Sequence, residues 1–325
     1  MKKAKLTWVV AGSMFAALCL NASHAAGEGR SSASAELMSI GFRPWSLLFT
    51  GGTVSEPLAG DVNLQINESH VGGGVVELAG EGNTFDGGIH VSSGTLVVPA
   101  TVADGRSSSV LGVGSAPIAL GPGTLRFSGN ADTVRDLLFL PSSAKPKGAS
   151  VVQVDEGARA RIYGRVSTAP GKKGNFIKTG PGTLVIATPY ADGKNLIGVS
   201  GAEPGWVAVN TKPPAFSANG DGPEAGFEAC NIADGRLEIA TGNTVTNHFP
   251  SEVWVGMSST SAANAETAGH LDIVSGVNLF DSLFVGRHNG TTTTAPGSLA
   301  SSVNVYGGES TVLGILGIAY GDNAM

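Results

Sequence analysis

The sequence predicts an all-β protein whose strands stack as a solenoid. A pattern of Gly, any residue, an apolar residue, any residue and a second apolar residue occurs six times in the 325 residues. Alternate side chains of a strand point to opposite faces, so the two apolar positions of each copy predict one buried face. The six copies are residues 74–78, 94–98, 123–127, 182–186, 235–239 and 269–273.

The spacing of the copies predicts how the strands are connected. Their leading glycines lie 20, 29, 59, 53 and 34 residues apart, which is too far for hairpins with two-residue turns. Intervals of about 20 to 35 residues, or near doubles of them, are typical of repeats that stack as coils. We therefore expect one long sheet wound on itself. The variable fourth residue of each copy is expected to face water, at Glu77, Val97, Arg126, Val185, Glu238 and Asp272.

Composition supports a folded β protein. The chain has 48 glycines, 42% hydrophobic residues and only 14% charged residues. This apolar content excludes a disordered polar chain and provides for a large core. The glycines have no three-residue period, which excludes collagen. We expect them at corners between strands, where a residue that tolerates positive φ is needed.

The N-terminus predicts export. Three lysines precede an apolar stretch over 6–20, and small residues before Ala26 are typical of a signal peptide that is cleaved between Ala25 and Ala26. We therefore expect a signal helix within residues 1–25. The apolar stretch is shorter than the roughly 20 residues that a membrane-spanning helix needs, so no membrane span is expected in the mature chain.

Charge and cysteine content narrow the classes of partner. Loss of Lys2, Lys3 and Lys5 with the signal peptide changes the formal net charge from −6 to −9. Such a surface does not favour nucleic acid as a partner. Cys230 is the only cysteine left after the predicted cleavage, so no internal disulfide forms, and we expect a small buried residue there.

The predicted organisation has three parts. Residues 1–25 are the signal peptide, 26–70 are an N-terminal segment and cap, and 71–325 are solenoid repeats. Proline-rich and turn-rich stretches predict loops near 141–148 and 211–223. In the last third, VWVG at 253–256 is followed by LFVG at 283–286, and the LDI of 271–273 by the VNV of 303–305.

Several of these segments resemble a known family. The sequence GVVELAGEGNTFDGGIHVSSGTLVV at 74–98, GPGTLRFSGN at 121–130 and FIKTGPGTLVIA at 176–187 are similar to the autotransporter-associated β-strand repeat of bacterial secreted passenger domains. The segment from 253 onward resembles related repeats of large bacterial surface proteins. The resemblance covers roughly 71–323.

The resemblance implies a right-handed parallel β-helix at the cell surface or outer membrane, or released outside the cell. Such passengers are usually adhesins or stalks, so surface glycans, host or matrix components and the secretion machinery are the expected partners. The chain departs from the family because it has neither a C-terminal barrel nor a sorting helix with a basic tail. The apolar, uncharged residues 311–320 also lack the polar cap expected of a last coil, so we expect a truncated chain with further repeats.

The residues favour a structural or adhesive protein over an enzyme. A polysaccharide-active lyase or hydrolase on the same fold is the alternative, but it requires clustered carboxylates, and no local cluster occurs in the repeats. The histidines lack metal-ligand spacing, so we predict no catalytic residue, cofactor or metal site. Arg159, Arg161, Tyr163 and Arg165 share strand parity and form a candidate contact stripe for an anionic glycan, with ordinary solvated side chains as the competing interpretation.

Overall fold

The computed structural model describes residues 6–9, 46–67, 73–99, 109–113, 116–140, 150–164, 166–168, 174–187, 227–242, 246–256, 268–286 and 301–318. Within these ranges the regular structure is β-strand, apart from one short 3-10 helix at Ser109–Leu111. The prediction of an all-β protein is confirmed. None of the described residues forms a helix long and apolar enough to cross a membrane.

The strands form three large sheets and one small one. The ten-stranded sheet contains, from edge to edge, β3 (Gly52–Val54), β6 (Val75–Leu78), β9 (Thr95–Val98), β11 (Thr124–Phe127), β14 (Ser150–Val154), β17 (Gly174–Thr179), β19 (Phe227–Ile232), β21 (Thr246–Val255), β23 (Val277–Val285) and β25 (Glu309–Ile318). The six-stranded sheet contains β12 (Ala131–Thr133), β15 (Arg159–Ile162), β18 (Thr183–Ala187), β20 (Gly235–Ala240), β22 (Gly269–Ser275) and β24 (Ser302–Val305).

The third large sheet has seven strands. They are β1 (Leu6–Val9), β2 (Ser46–Phe49), β5 (Asn63–Ile66), β8 (Ile89–Val91), β10 (Ile118–Leu120), β13 (Leu137–Phe139) and β16 (Val166–Thr168). The small sheet pairs β4 (Ala59–Gly60) with β7 (Thr84–Phe85). Among the described strands, every pair is parallel except β1 with β2.

The predicted signal helix is not seen. Leu6–Val9 is instead the strand β1, which pairs antiparallel with β2. The segment Leu-Thr-Trp-Val contains β-branched and aromatic residues that favour strands, and the edge of β2 offers backbone partners for it. The predicted cleavage site, Ala25 and Ala26, lies outside the described residues.

The six motif copies form strands, but they belong to two sheets rather than one. The first three copies are β6, β9 and β11 of the ten-stranded sheet, and the last three are β18, β20 and β22 of the six-stranded sheet. Within each trio the copies pair in the same register, with Leu96 beside Leu125 and Leu237 beside Leu271. The expectation of a single wound sheet is therefore wrong. The motif could not reveal the division, because the same local pattern can form a strand of either sheet.

The similar segments of the last third, VWVG with LFVG and LDI with VNV, are also paired strands. Val253 lies beside Leu283 in the ten-stranded sheet, and Leu271 lies beside Val303 in the six-stranded sheet. Both pairings have the register that the repeated letters predicted. The sequence similarity between neighbouring segments therefore marks strands that contact each other.

One continuous apolar core extends from Leu47 to Leu283. The two apolar residues of every motif copy belong to it, and none is more than 1% exposed. A fully buried aliphatic side chain contributes about 1.5 to 3 kcal/mol, so this face is the main source of stability. Aromatic rings stack along the core, with the ring centroids of Phe249 and Phe280 5.0 Å apart.

Glycine begins the motif copies for two different reasons. Gly94 has φ of 67°, a left-handed conformation that glycine adopts without strain, as predicted for the corners. Gly182 does not have this conformation; a Cβ there would lie 2.2 Å from the carbonyl oxygen of Asp155. At Gly182 it is the close approach of two chain segments that excludes a side chain.

Of the predicted N-terminal segment and cap, residues 26–70, the structure describes only residues 46–67. This portion contains β2, β3, β4 and β5, which pair in parallel with each other or with strands from the repeat region. Stacked strands are thus already present before residue 71. The predicted loops at 141–148 and 211–223 lie outside the described residues.

Candidate contact surface

The outward side chains of the six-stranded sheet form a polar surface with charges of both signs. Because neighbouring strands pair in parallel, residues that point to the same face line up in rows that cross the strands. We call the charged members of these rows the charged face; they are Asp132, Arg159, Arg161, Arg236, Glu238 and Asp272. Three arginines and three carboxylates make its formal charge balanced.

Both described arginines of the predicted stripe have a carboxylate partner. The Nη2 atom of Arg159 lies 2.7 Å from Oε1 of Glu238, and Nη1 of Arg161 lies 3.3 Å from Oδ2 of Asp132. Each arginine therefore carries an ion pair within the sheet. The stripe is not a purely basic surface, since carboxylates reach it from the adjacent strand β12 and from β20, two strands away.

The arginines are more exposed than their partners. The side chains of Arg159 and Arg161 are 38% and 43% exposed, whereas those of Glu238 and Asp132 are 17% and 12% exposed. Burial raises the pKa of the Asp132 carboxyl, and the nearby Arg161 opposes that rise. Solvent therefore meets mainly guanidinium groups, with the carboxylates largely covered.

Tyr163 continues the stripe beyond β15. Its side chain is half-buried and lies near the guanidinium group of Arg161, whose pKa both Asp132 and Tyr163 raise. The predicted fourth member, Arg165, lies outside the described residues. Three of the four predicted residues thus share one face, in agreement with their strand parity.

The far end of the charged face contains a second arginine–carboxylate group. Arg236 forms an ion pair with Asp272, and Nδ2 of Asn304 donates to Oδ1 of Asp272 at 2.8 Å. In the adjacent row, Nδ1 of His270 lies 2.9 Å from the hydroxyl of Ser302. Burial lowers the pKa of His270, with Arg236 adding to the effect.

The prediction that the fourth motif residue faces water is wrong at half of its positions. Val97, Val185 and Asp272 are only 7%, 2% and 5% exposed. Neighbouring strands supply long side chains beside all three, with Arg126 beside Val97, Arg161 and Glu238 beside Val185, and Glu238 beside Asp272. An outward position in a stacked sheet is thus covered from both sides when its neighbours in the row are large.

A similar arginine–carboxylate pair lies on the ten-stranded sheet. Both Nε and Nη2 of Arg126 bond the carboxylate of Asp155, at 3.0 Å and 2.7 Å, and Nε2 of Gln153 donates to the same group at 3.0 Å. Hydrogen bonding by Arg126 lowers the pKa of Asp155. This pair has the same chemistry as the ion pairs of the charged face but belongs to another sheet.

Sequence reasoning missed two buried cations. The side chain of Arg135 is fully buried; its Nε donates to the carbonyl oxygen of Leu111 at 2.9 Å, and its Nη1 to those of Gly87 and Ala116 at 2.8 and 2.6 Å. Its guanidinium carbon lies 5.3 Å from the ring centroid of Phe85. Burial lowers the pKa of Arg135 to about 10.

Lys178 is the second buried cation. Its ammonium group donates to the carbonyl oxygens of Gly182 and Asp234, at 2.7 and 2.8 Å, and to that of Gly180. Burial lowers the pKa of Lys178 to about 8. Both cations are held by backbone carbonyls, which for Arg135 all come from distant segments and for Lys178 come from the following turn and from Asp234. Backbone partners carry no residue-type signal along the chain.

Cys230 is buried, as predicted, and burial raises the pKa of its thiol to about 12. Of the histidines that follow the predicted signal peptide, His90, His248 and His270 are described, whereas His70 and His288 lie outside the described residues. In the part of the chain that the structure covers, no group of three or more His, Cys, Asp or Glu residues could hold a metal ion.

No family model, no curated protein and no solved structure matches this chain. The resemblance to autotransporter-associated repeats therefore stays a prediction.

Proposed function

We propose that this chain is a secreted or surface-displayed structural or adhesive passenger, and that its strands wind as a right-handed parallel β-helix. The observation that carries this proposal is the order in which the chain visits its sheets. From β11 to β18 successive strands belong in turn to the ten-stranded, six-stranded and seven-stranded sheets, and the order then repeats.

This order supports a coil because each strand pairs in parallel with the equivalent strand of the next cycle. β11 pairs with β14, β12 with β15 and β13 with β16. Neighbouring strands of a sheet lie about 4.8 Å apart, so each cycle would advance the coil by that distance. Connections between parallel strands of one sheet are right-handed in nearly all proteins, which is the basis for the proposed hand.

The proposed role is extended presentation of the charged face. The arginine side chains of its ion pairs are partly exposed to solvent. Ion pairs of this kind contribute at most about 1 kcal/mol each to stability. Arg159 and Arg161 can therefore exchange their internal partners for carboxylate or sulfate groups of a ligand at small cost. Anionic surface glycans and matrix polysaccharides carry such groups, and weak contacts along a rod add through avidity.

Cell fractionation of the producing bacterium tests the destination. We expect antibodies against the chain to detect it on intact cells or in the medium, and protease added outside to remove the cell-bound signal. The N-terminus of the exported form should be Ala26. A protease-protected cytoplasmic chain that retains Met1 would contradict export.

Binding to an immobilised sulfated polysaccharide tests the contact surface. We expect the Arg161→Ser variant to bind several-fold more weakly, because the proposed ligand pairs with this guanidinium group. The matched control is Arg126→Ser, which removes a paired arginine from the other sheet. Circular dichroism checks that both variants keep their β structure. Equal loss in both variants would indicate a net-charge effect and not a site.

A further inference from the structure

The strand β18 lies in the middle of the six-stranded sheet and has short side chains on the charged face. Its outward residues there are Thr183 and Val185. In the paired register each of them lies between long charged side chains of the two neighbouring strands. We call this arrangement the trough; its floor is Thr183 and Val185, and its walls are Arg159 and Arg161 of β15 and Arg236 and Glu238 of β20.

One ion pair of the charged face crosses the trough. Arg159 belongs to β15 and Glu238 to β20, and β18 lies between these strands. The two side chains meet at 2.7 Å, although the backbones of their strands are about 10 Å apart. Arg159 is in register with Thr183 and Glu238 with Val185, so the pair passes diagonally over the floor. We call it the crossing pair.

The other two ion pairs described for the charged face lie outside the trough. Arg161 extends to Asp132 on β12, and Arg236 extends to Asp272 on β22. Both carboxylates belong to strands on the far sides of the walls. Among these three pairs it is therefore the crossing pair that covers the floor, where Val185 is only 2% exposed.

The charges of the trough favour an anionic chain. Its walls hold three arginines and one carboxylate, and the arginine side chains are 37% to 43% exposed. Arg159 and Arg161 lie two residues apart, about 6.6 Å along β15, so successive anionic groups of one extended chain can reach both. The trough is one strand wide, which suits a single extended chain better than a globular partner.

We propose that the trough binds a single anionic polysaccharide chain lying along β18, and that the crossing pair closes the trough in the free protein. Glu238 holds Arg159 in the way that a carboxylate or sulfate of the ligand would hold it. A bound chain takes Arg159 from Glu238, separates the two side chains and contacts the uncovered Val185. The class of ligand rests on the proposed function, whereas the path of the chain and the competition by Glu238 go beyond it.

Binding of dextran sulfate to the full chain, with unsulfated dextran as the blank, tests the competition. We expect Glu238→Gln to bind about three- to fivefold more tightly than the wild type, because the ligand no longer has to break a partly exposed ion pair. The matched control is Asp155→Asn, which removes the same charge from an ion pair on the other sheet and should bind like the wild type. Asp132→Asn releases Arg161 but leaves the trough crossed, so it should gain less than Glu238→Gln.

Methyl NMR of the wild-type chain locates the bound polysaccharide without any substitution. The methyl signals of Val185 should shift when dextran sulfate is added, while those of Val75, which is 54% exposed on the ten-stranded sheet, should not. Unmoved Val185 signals, or a Glu238→Gln variant that gains no more than either control, would overturn the closed trough. The proposed function would still stand if Arg161→Ser weakened binding. A wild-type chain that does not bind dextran sulfate would overturn both the trough and the glycan contact.

Discussion

Replacing Gly182 by alanine should disrupt the contact between two chain segments without changing any apolar side chain. A Cβ at Gly182 would lie 2.2 Å from the carbonyl oxygen of Asp155, 2.7 Å from that of Ala158 and 2.7 Å from Cγ1 of Val154. Two of these atoms belong to backbone, so a rotamer change cannot relieve the overlap. The amide of Gly182 also donates to the carbonyl of Val154 at 3.0 Å, which limits how far the segment can shift.

The expected loss of stability is about 1 to 3.5 kcal/mol. Overpacking in a tight interior costs about 1 to 3 kcal/mol, and each backbone hydrogen bond weakened by the shift adds about 1 kcal/mol. Gly182 does not have a left-handed backbone, so alanine adds no conformational strain there. The smaller entropy of an unfolded chain with alanine offsets the loss by about 0.4 to 1 kcal/mol.

Urea unfolding monitored by circular dichroism measures this change. The matched control is Gly51→Ala, since a Cβ at Gly51 would have its nearest neighbour, the carbonyl oxygen of Val75, at an ordinary 3.7 Å. We expect the control to lie within about 0.5 kcal/mol of the wild type. If Gly182→Ala and Gly51→Ala have the same unfolding midpoint, close stacking at this turn is refuted.

The remaining predictions concern three buried groups. Burial lowers the pKa of His90 from 6.5 to about 4, so the unfolded chain binds more protons between these values and stability falls by up to about 3 kcal/mol as pH drops through them. His90→Asn should flatten the unfolding free energy against pH in that range; an unchanged slope would contradict the assignment. Burial lowers the pKa of Lys178 from 10.5 to about 8, so this group makes stability rise by about 3 kcal/mol between pH 8 and pH 10.5. The difference in stability between wild type and Lys178→Met should show that rise, and a constant difference would argue against a buried ammonium. The thiol of Cys230, with a pKa raised to about 12, should react with a disulfide reagent at pH 8 only after unfolding. Rapid reaction of the folded chain would show that the thiol is accessible.

Part of the fold was predictable because it depends on local alternation. The two apolar residues of each motif copy are buried, and strands with similar sequences pair in register, as Leu96 with Leu125 and Val253 with Leu283. Stacked repeats place equivalent residues in equivalent environments, so sequence similarity and spatial contact coincide. The face that Arg159, Arg161 and Tyr163 share followed from the same two-residue period.

The partners that side chains find on other strands were not predictable. Arg159 and Glu238 are separated by 79 residues, and nothing in either segment identifies the other. The cover over Val185 and Asp272 depends on which side chains flank them in the row, and hence on the register of several strands. The oxygens that hold Lys178 belong to backbone, which has no residue-specific signature.

The sequence by itself determined the strands, their inward faces and the register of similar neighbours, because these follow from side-chain alternation along a short segment. Only the tertiary structure decided how the motif copies divide between two sheets, which carboxylates pair with the arginines and how β25 is left at an edge. Those features depend on contacts between segments tens of residues apart. A local pattern of polar and apolar residues satisfies many such arrangements equally well, and the packing of the whole chain selects one of them.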